Sequence, residues 1–226
     1  MTEKLFFYRL PHVTSARDLR DALTRARDAS VVGIYFGPAT TGLYPLHQAA
    51  FGAQIAPEVL LLAAVEPVFT EPYHVTQQAL TLDHASRGKA GLHIVPAPPE
   101  AAAEVGRPEP TAAEIDNEVA DAIEVYQRLF DSWEDDAVIR DVETRRFLDK
   151  DKIHNIEFSG APYSVYGASF TPRGPQGQIP ILDHDQTEIE IVDDIDAATS
   201  AGEATRPATF RETLGLGHAP SRYARN

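Results

Sequence analysis

His93, Asp183, His184 and Asp185 come nearest to a reactive set among the residues of this chain. His93 falls in a short apolar run, residues 90–95, and Asp183-His184-Asp185 directly follows another, residues 178–182. Both runs read as parallel strands, so both strand ends should open on one mouth. Two imidazoles with a carboxylate can bind a divalent metal or exchange protons. The competing reading is an acidic, solvated strand end beside a hydrogen-bonded histidine. That reading is preferred, because no fixed-spacing metal motif such as H-E-x-x-H occurs. No metal is expected, and His93, Asp183 and His184 remain the catalytic candidates. His12, His47, His74, His154 and His218 are scattered and read as structural.

Composition narrows the classes further. The chain has 226 residues and a net charge of −14, from 34 acids against 20 Lys and Arg. Such a potential repels phosphate backbones and anionic membranes, which disfavours a nucleic-acid or membrane partner. Cysteine is absent, which excludes disulfides, thiolate metal sites and cysteine nucleophiles. No apolar run reaches the roughly 18 residues needed to span a bilayer, and the start lacks the pattern of a signal peptide. The cytoplasm is the expected location. There is no P-loop, GxGxxG or GxSxG string, and no internal repeat.

The elements that must position these residues alternate as β/α units. Strands are expected over residues 5–10, 31–36, 59–65 and 90–95, continuous apolar runs that suit burial on both faces. Helices are expected after Thr14-Ser15, over residues 45–55 and over residues 72–85. Residues 96–110 read as a Pro/Ala/Glu-rich loop without period. Then Val119, Ala122, Ile123, Tyr126, Leu129, Phe130 and Trp133 form one helical stripe. Residues 134–152 are charged and read as exposed. A β-hairpin is expected within about 153–170, split by Ser159-Gly160-Ala161-Pro162, and a fifth strand over residues 178–182. Residues 183–203 hold eight acids and no Lys or Arg. Within them Glu188-Ile189-Glu190-Ile191 alternates with period two, the pattern of an exposed or edge strand.

Several strings, in this order, resemble the bacterial luciferase-like flavin monooxygenases. They are Glu71-Pro72-Tyr73, Leu82-Asp83-His84 with Ser86, Lys89-Ala90-Gly91, Asp131-Ser132-Trp133-Glu134-Asp135-Asp136, Pro175-Gln176-Gly177 and Leu214-Gly215-Leu216. The branch they resemble is that of two-component monooxygenases acting on nitrilotriacetate and sulfur heterocycles. The resemblance implies a β/α barrel, FMN reduced by a partner flavin reductase, and dimerisation. It also implies a shortened barrel: about thirty residues separate the fifth strand from the closing Leu214-Gly215-Leu216, where relatives place several more β/α units, and eight units typically need about 250 residues.

Aligned on those strings, the family's FMN-contact positions fall on Gly37, Val68 in Glu66-Pro67-Val68, His93, Ala97 and Asp116, with Ala112, Gln77 and Asp183-His184-Asp185 as further substituted places. Asp83 and Trp133 read as scaffold. The expected fold is α/β, an incomplete TIM-type β/α barrel of about five parallel strands with an inserted hairpin. Residues 1–182 would form the partial barrel, and 183–226 an acidic segment packing on it or on a partner. The expected function is that of a luciferase-like monooxygenase family protein of the oxidoreductase class, FMN-dependent by resemblance although its site residues do not support FMN or reduced FMN. The alternative is a non-catalytic flavin- or ligand-binding protein, or an accessory subunit of a full-length homologue. The expected partner is a second copy or that homologue.

Overall fold

Several helices of this chain start where a side chain takes up their free N–H groups. β1, Leu5–Arg9, is followed by Ser15, which accepts a bond from the Asp18 N–H and opens α1, Ala16–Asp28. Leu19, Ala22, Leu23 and Ala26 give α1 one buried face. β2, Gly33–Phe36, leads to α2, Pro45–Ile55, and β3, Leu60–Val65, to α3, Pro72–Ser86. Glu71 caps α3 by accepting from the Tyr73 and His74 N–H groups, and Pro72 follows at a position that needs no donor. Arg87, in left-handed backbone geometry, ends α3 ahead of β4, Ala90–Ile94. A capping box between Thr111 and Glu114 starts α4, Ala112–Phe130.

The computed structural model describes residues 4–38, 42–183, 189–199 and 209–223. Beyond α4 come two antiparallel pairs, β5 (Val138–Asp141) with β6 (Arg146–Leu148), and β7 (Ile156–Ser159) with β8 (Ser164–Gly167). Then follow β9, Ile181–Leu182, β10, Ile189–Val192, and α5, Phe210–Thr213. Six strands form one sheet in the order β10-β1-β2-β3-β4-β9, and every neighbouring pair is parallel.

The sheet therefore has one strand more than the five expected. The alternating segment around Glu190 joins it, pairing Leu5 with Ile189 and Tyr8 with Val192. That pairing forces curvature. A flat six-stranded sheet would hold its outer strands about 24 Å apart. Leu182 lies opposite His93 near the end of β4, whereas Ile189 lies opposite Leu5 at the start of β1. The six residues between them reach about 25 Å at most, too little for a flat sheet with that offset. The sheet is a curled half-barrel.

Other expectations are corrected in detail. Residues 96–110 contain a 3-10 helix, Pro99–Val105. The charged 134–152 segment contains the β5–β6 pair. Ala112 and Asp116 lie within α4, and α4 ends before Trp133. Trp133 instead donates from Nε1 to the Ser169 carbonyl at 2.6 Å.

Helices cover the convex face, and a smaller apolar set fills the concave one: Phe7, Tyr35, Leu62, Ala64, Leu182 and Phe210 are all buried there. Phe210 comes from the tail. Its ring stacks on Phe7 with centroids 5.5 Å apart. Gly33 and Gly91 leave the space for these two rings, since a Cβ at Gly33 would strike Phe7 and one at Gly91 would strike Phe210.

The strings around Asp83, Lys89, Asp131 and Gln176 meet beneath this interior, at the strands' N-terminal end. Asp83 is 0% exposed. It accepts from Gln176 Nε2 at 2.6 Å and from the Gln176 N–H at 3.3 Å. Gln176 also donates to the Ala90 carbonyl and accepts the Arg211 N–H, both at 2.9 Å, while the Phe210 N–H donates to the Gly88 carbonyl at 2.7 Å. One glutamine thus ties the end of α3, the start of β4 and α5. Alongside it, Ser132 Oγ accepts the Ser169 N–H, and Arg173, 2% exposed, donates twice to Asp131 Oδ1.

Burial raises the Asp83 carboxyl to about 6, against the Gln176 bonds that lower it. A carboxyl raised on folding stabilises the fold fully below its unfolded value, and that contribution disappears as pH rises through the folded one. Between about pH 4 and pH 7 this group should therefore remove stability on the order of 3 kcal/mol. Urea unfolding of the wild type and Asp83→Asn across that range should show the extra decline only in the wild type; parallel profiles would contradict it. Phe210→Ala should cost about 3–5 kcal/mol and lower Tm by on the order of 10 °C, read by calorimetry. An unchanged Tm would mean that the tail ring is not seated in the interior.

Candidate functional site

Loops that follow parallel strands gather at the strands' C-terminal ends, and there this half-barrel carries its inward-facing polar groups. Odd positions of β1 point inward with Phe7, which brings Arg9 to the rim. Odd positions of β2 bring Tyr35 inward and Gly37 above it. β4 contributes His93, and the residue after β10 is Asp193. These side chains form a connected row. Arg9 Nε donates to Asp193 Oδ1 at 2.9 Å, and the Arg9 guanidinium sits 5.3 Å from the centroid of the Tyr35 ring. Tyr35 Oη lies 3.1 Å from His93 Nδ1, with the two rings edge-on.

The electrostatics decide what the row can do. Burial raises the Tyr35 phenol, and the Arg9 charge only partly counters this. The phenol therefore stays protonated at neutral pH and can donate to His93 when Nδ1 is the unprotonated ring nitrogen. In that arrangement the His93 proton sits on Nε2. The pair can hold or pass a proton at that atom. The Arg9–Asp193 ion pair is exposed, so it orients the guanidinium more than it stabilises the fold.

The sequence candidates distribute unevenly around this row. His93 is half-buried within it. Leu182 pairs with His93, so Asp183 follows at the same mouth, where it is exposed. His184 and Asp185 lie outside the described residues. Among the described residues, no group of three or more His, Asp or Glu side chains is placed to hold a metal ion. Gly37 sits above Tyr35 and near Arg9, where a Cβ would make ordinary contact with both. Ala97 is buried just beyond β4, and Asp116 is exposed on α4. Gln77 faces the hairpin side, accepting from Ser169 Oγ at 2.9 Å and from the Thr171 N–H.

Val68 is buried in the loop after β3, and both its backbone groups are occupied. Its N–H donates to Glu66 Oε1 at 2.6 Å, and its carbonyl accepts from Arg107 Nη1 at 3.0 Å. Glu66 also accepts from the Phe69 N–H at 3.1 Å. Burial raises the Glu66 carboxyl, and these backbone bonds lower it. Arg107 is held in turn by Glu118 through two 2.8 Å bonds.

Sequence reasoning missed Arg9, Tyr35 and Asp193. The signal for the first two lay in strand parity: from inward Phe7 it selects Arg9, and from Gly33 it selects Tyr35. Tyr35→Phe should remove one hydrogen bond, cost about 1 kcal/mol in urea unfolding and shift the His93 ring-nitrogen resonances. Unchanged His93 resonances would show that the phenol and imidazole are not coupled.

Comparison with known proteins fits this architecture. A family model described as luciferase-like monooxygenase matches residues 6–184. The chain is 33% identical over 141 residues to N-acetyl-S-(2-succino)cysteine monooxygenase of Bacillus subtilis (strain 168), covering 58% of this chain and 30% of that one. It is 32% identical over 139 residues to nitrilotriacetate monooxygenase component A of Aminobacter aminovorans, covering 60% and 30%. The crystal structure of the long-chain alkane monooxygenase LadA superposes with a TM-score of 0.73 at 20% identity, over 83% of this chain and 53% of that one. The chain spans about a third of the length of these curated relatives and about half of the solved structure. With the matched model covering most of the half-barrel, this chain belongs to the luciferase-like monooxygenase family.

Proposed function

We propose that this chain serves two-component, FMN-dependent monooxygenation as an oxidoreductase-family component that does not hold FMN unaided. One observation carries the reading: the donors at the strand ends are already occupied. A flavin phosphate needs several converging N–H groups or cations. Here Val68 and Phe69 direct their N–H groups to Glu66, Arg9 is paired with Asp193, and Pro96 after β4 has no N–H to offer. The acids Glu66, Asp183 and Asp193 around the same mouth oppose a dianion. The described residues therefore do not fit the phosphate, and no reaction step is routed through FMN on this chain alone.

In this reading a longer luciferase-like homologue supplies the flavin site, and a reductase supplies reduced flavin. The relative named as component A of its enzyme supports a multi-component system. His93 with Tyr35 then offers a proton-handling pair at the mouth. Among the described residues, no helix is long and apolar enough to cross a membrane, and the proposed site of action is the cytoplasm. A second reading, independent monooxygenation with an altered flavin pose, is favoured by Arg9 and His93 standing at the catalytic end of the strands.

Titrating the purified chain with FMN and with chemically reduced FMN separates the two readings. No saturable change in flavin fluorescence or absorbance is expected up to about 1 mM, a free energy weaker than about −4 kcal/mol, and no substrate-dependent oxygen uptake. Micromolar binding with such uptake would establish the second reading instead.

A further inference from the structure

The described sheet ends at β9 on one side and β10 on the other, two strands that residues 183–188 join in sequence. On the β9 rim, the Leu92 N–H donates to the Pro180 carbonyl at 2.9 Å. Because residues alternate sides along a strand, the N–H and C=O of Ile181 point away from β4. No strand among the described residues pairs with that edge.

A cavity of about 560 Å³ runs along this edge, lined by Ile181, Leu182, Leu214, Leu216, Arg211 and Arg222. Apolar side chains and two cations, with Asp131 among them, line a cavity beside an edge that no described strand pairs. Arg211 donates to the Gly217 and Gln178 carbonyls, and Arg222 donates to Asp131 Oδ2. Each guanidinium has five donors, so these bonds engage only part of either. Asp131 is shared with Arg173, and burial together with the Arg173 charge depresses the Arg211 pKa. In a chain of net charge −14, this is a local excess of cation. On the opposite rim Glu190 and Asp193 are each paired, with Lys4 and Arg9 respectively.

We propose that the β9 edge and its cavity dock an extended segment of a partner polypeptide in which apolar residues alternate with Asp or Glu. The segment would add as a strand to Ile181, with its acids meeting Arg211 and Arg222. Charge complementarity argues for an acidic partner over symmetric pairing of two copies, because a twofold β9–β9 contact would bring Arg211 and Arg222 against their own equivalents. The inference rests on the reading that a longer polypeptide completes the functional unit.

The test uses the full chain and two fluorescein-labelled peptides, one alternating valine with glutamate and one alternating valine with lysine, followed by anisotropy, with decanoate as a small-molecule competitor. Three variants accompany the wild type. Ile181→Pro removes the outward N–H of the edge together with the Ile181 side chain, Ile181→Val keeps the N–H as its control, and Arg222→Ser removes a charge without touching the edge; circular dichroism checks the fold of each. The expected result is micromolar binding of the glutamate peptide, at least tenfold weaker binding of the lysine peptide, at least a tenfold loss in Ile181→Pro and a smaller loss in Arg222→Ser. Equal binding of both peptides, or binding of neither, overturns the proposal. Binding of decanoate with no peptide binding makes the cavity a small-molecule site and overturns it too. A wild-type dimer by light scattering that Ile181→Pro dissociates assigns the edge to a second copy and overturns the acidic partner. Tight FMN binding by the isolated chain would defeat the functional proposal above and leave the peptide result standing.

Discussion

Asp83 brings a carboxylate into the interior with no exposed surface, and the two bonds from Gln176 make that burial tolerable. Everything at the base of the half-barrel converges on this contact. The same glutamine reaches the first residue of β4 and the backbone of α5, so the tail that carries Phe210 is oriented by the pair that closes α3. Phe210 then fills the concave side against Phe7, in space left by Gly33 and Gly91. Without that ring, a six-stranded sheet would line an under-filled interior. The barrel floor is thus a polar joint below an aromatic plug.

This geometry explains how a family resemblance and a doubtful site coexist. The strings around Asp83 and Asp131 lie where helices hand over to strands at the N-terminal end, and they bind the 169–177 segment. At that end of a β/α barrel residues serve stability, whereas chemistry belongs to the opposite end. There the half-barrel presents Asp193, Arg9, Tyr35 and His93 in a row, and a β3 loop closed on itself by Glu66. The two ends answer to different constraints. Ancestry is written in the floor, and activity must be judged at the mouth.

The sequence made some of this legible for plain physical reasons. Residues 59–65 are apolar throughout, so a strand buried on both faces was readable, and β3 occupies Leu60–Val65. Proline after Glu71 marked the start of α3, and period-two alternation around Glu190 marked an edge strand. Long-range pairing was hidden. Nothing local places Ile189 beside Leu5, because that pairing depends on how the whole sheet curls. Asp83 and Gln176 are 93 positions apart, so their strings were recognisable while their contact was not. At the site, His93 and Asp183 were readable as strand ends. Arg9 and Tyr35 follow from strand parity only once Phe7 and Gly33 are known to face inward, which a continuous apolar strand does not reveal.

Whether the mouth of this half-barrel binds flavin unaided is read most directly by amide and ring-nitrogen chemical-shift mapping of the isotope-labelled chain during addition of reduced FMN under anaerobic conditions. The resonances of Arg9, Tyr35, Gly37, Val68 and His93 should keep their positions, with only weak, non-saturating shifts elsewhere. Saturable shifts clustered on those residues would contradict it, and would return this chain to the independent flavin enzymes of its family.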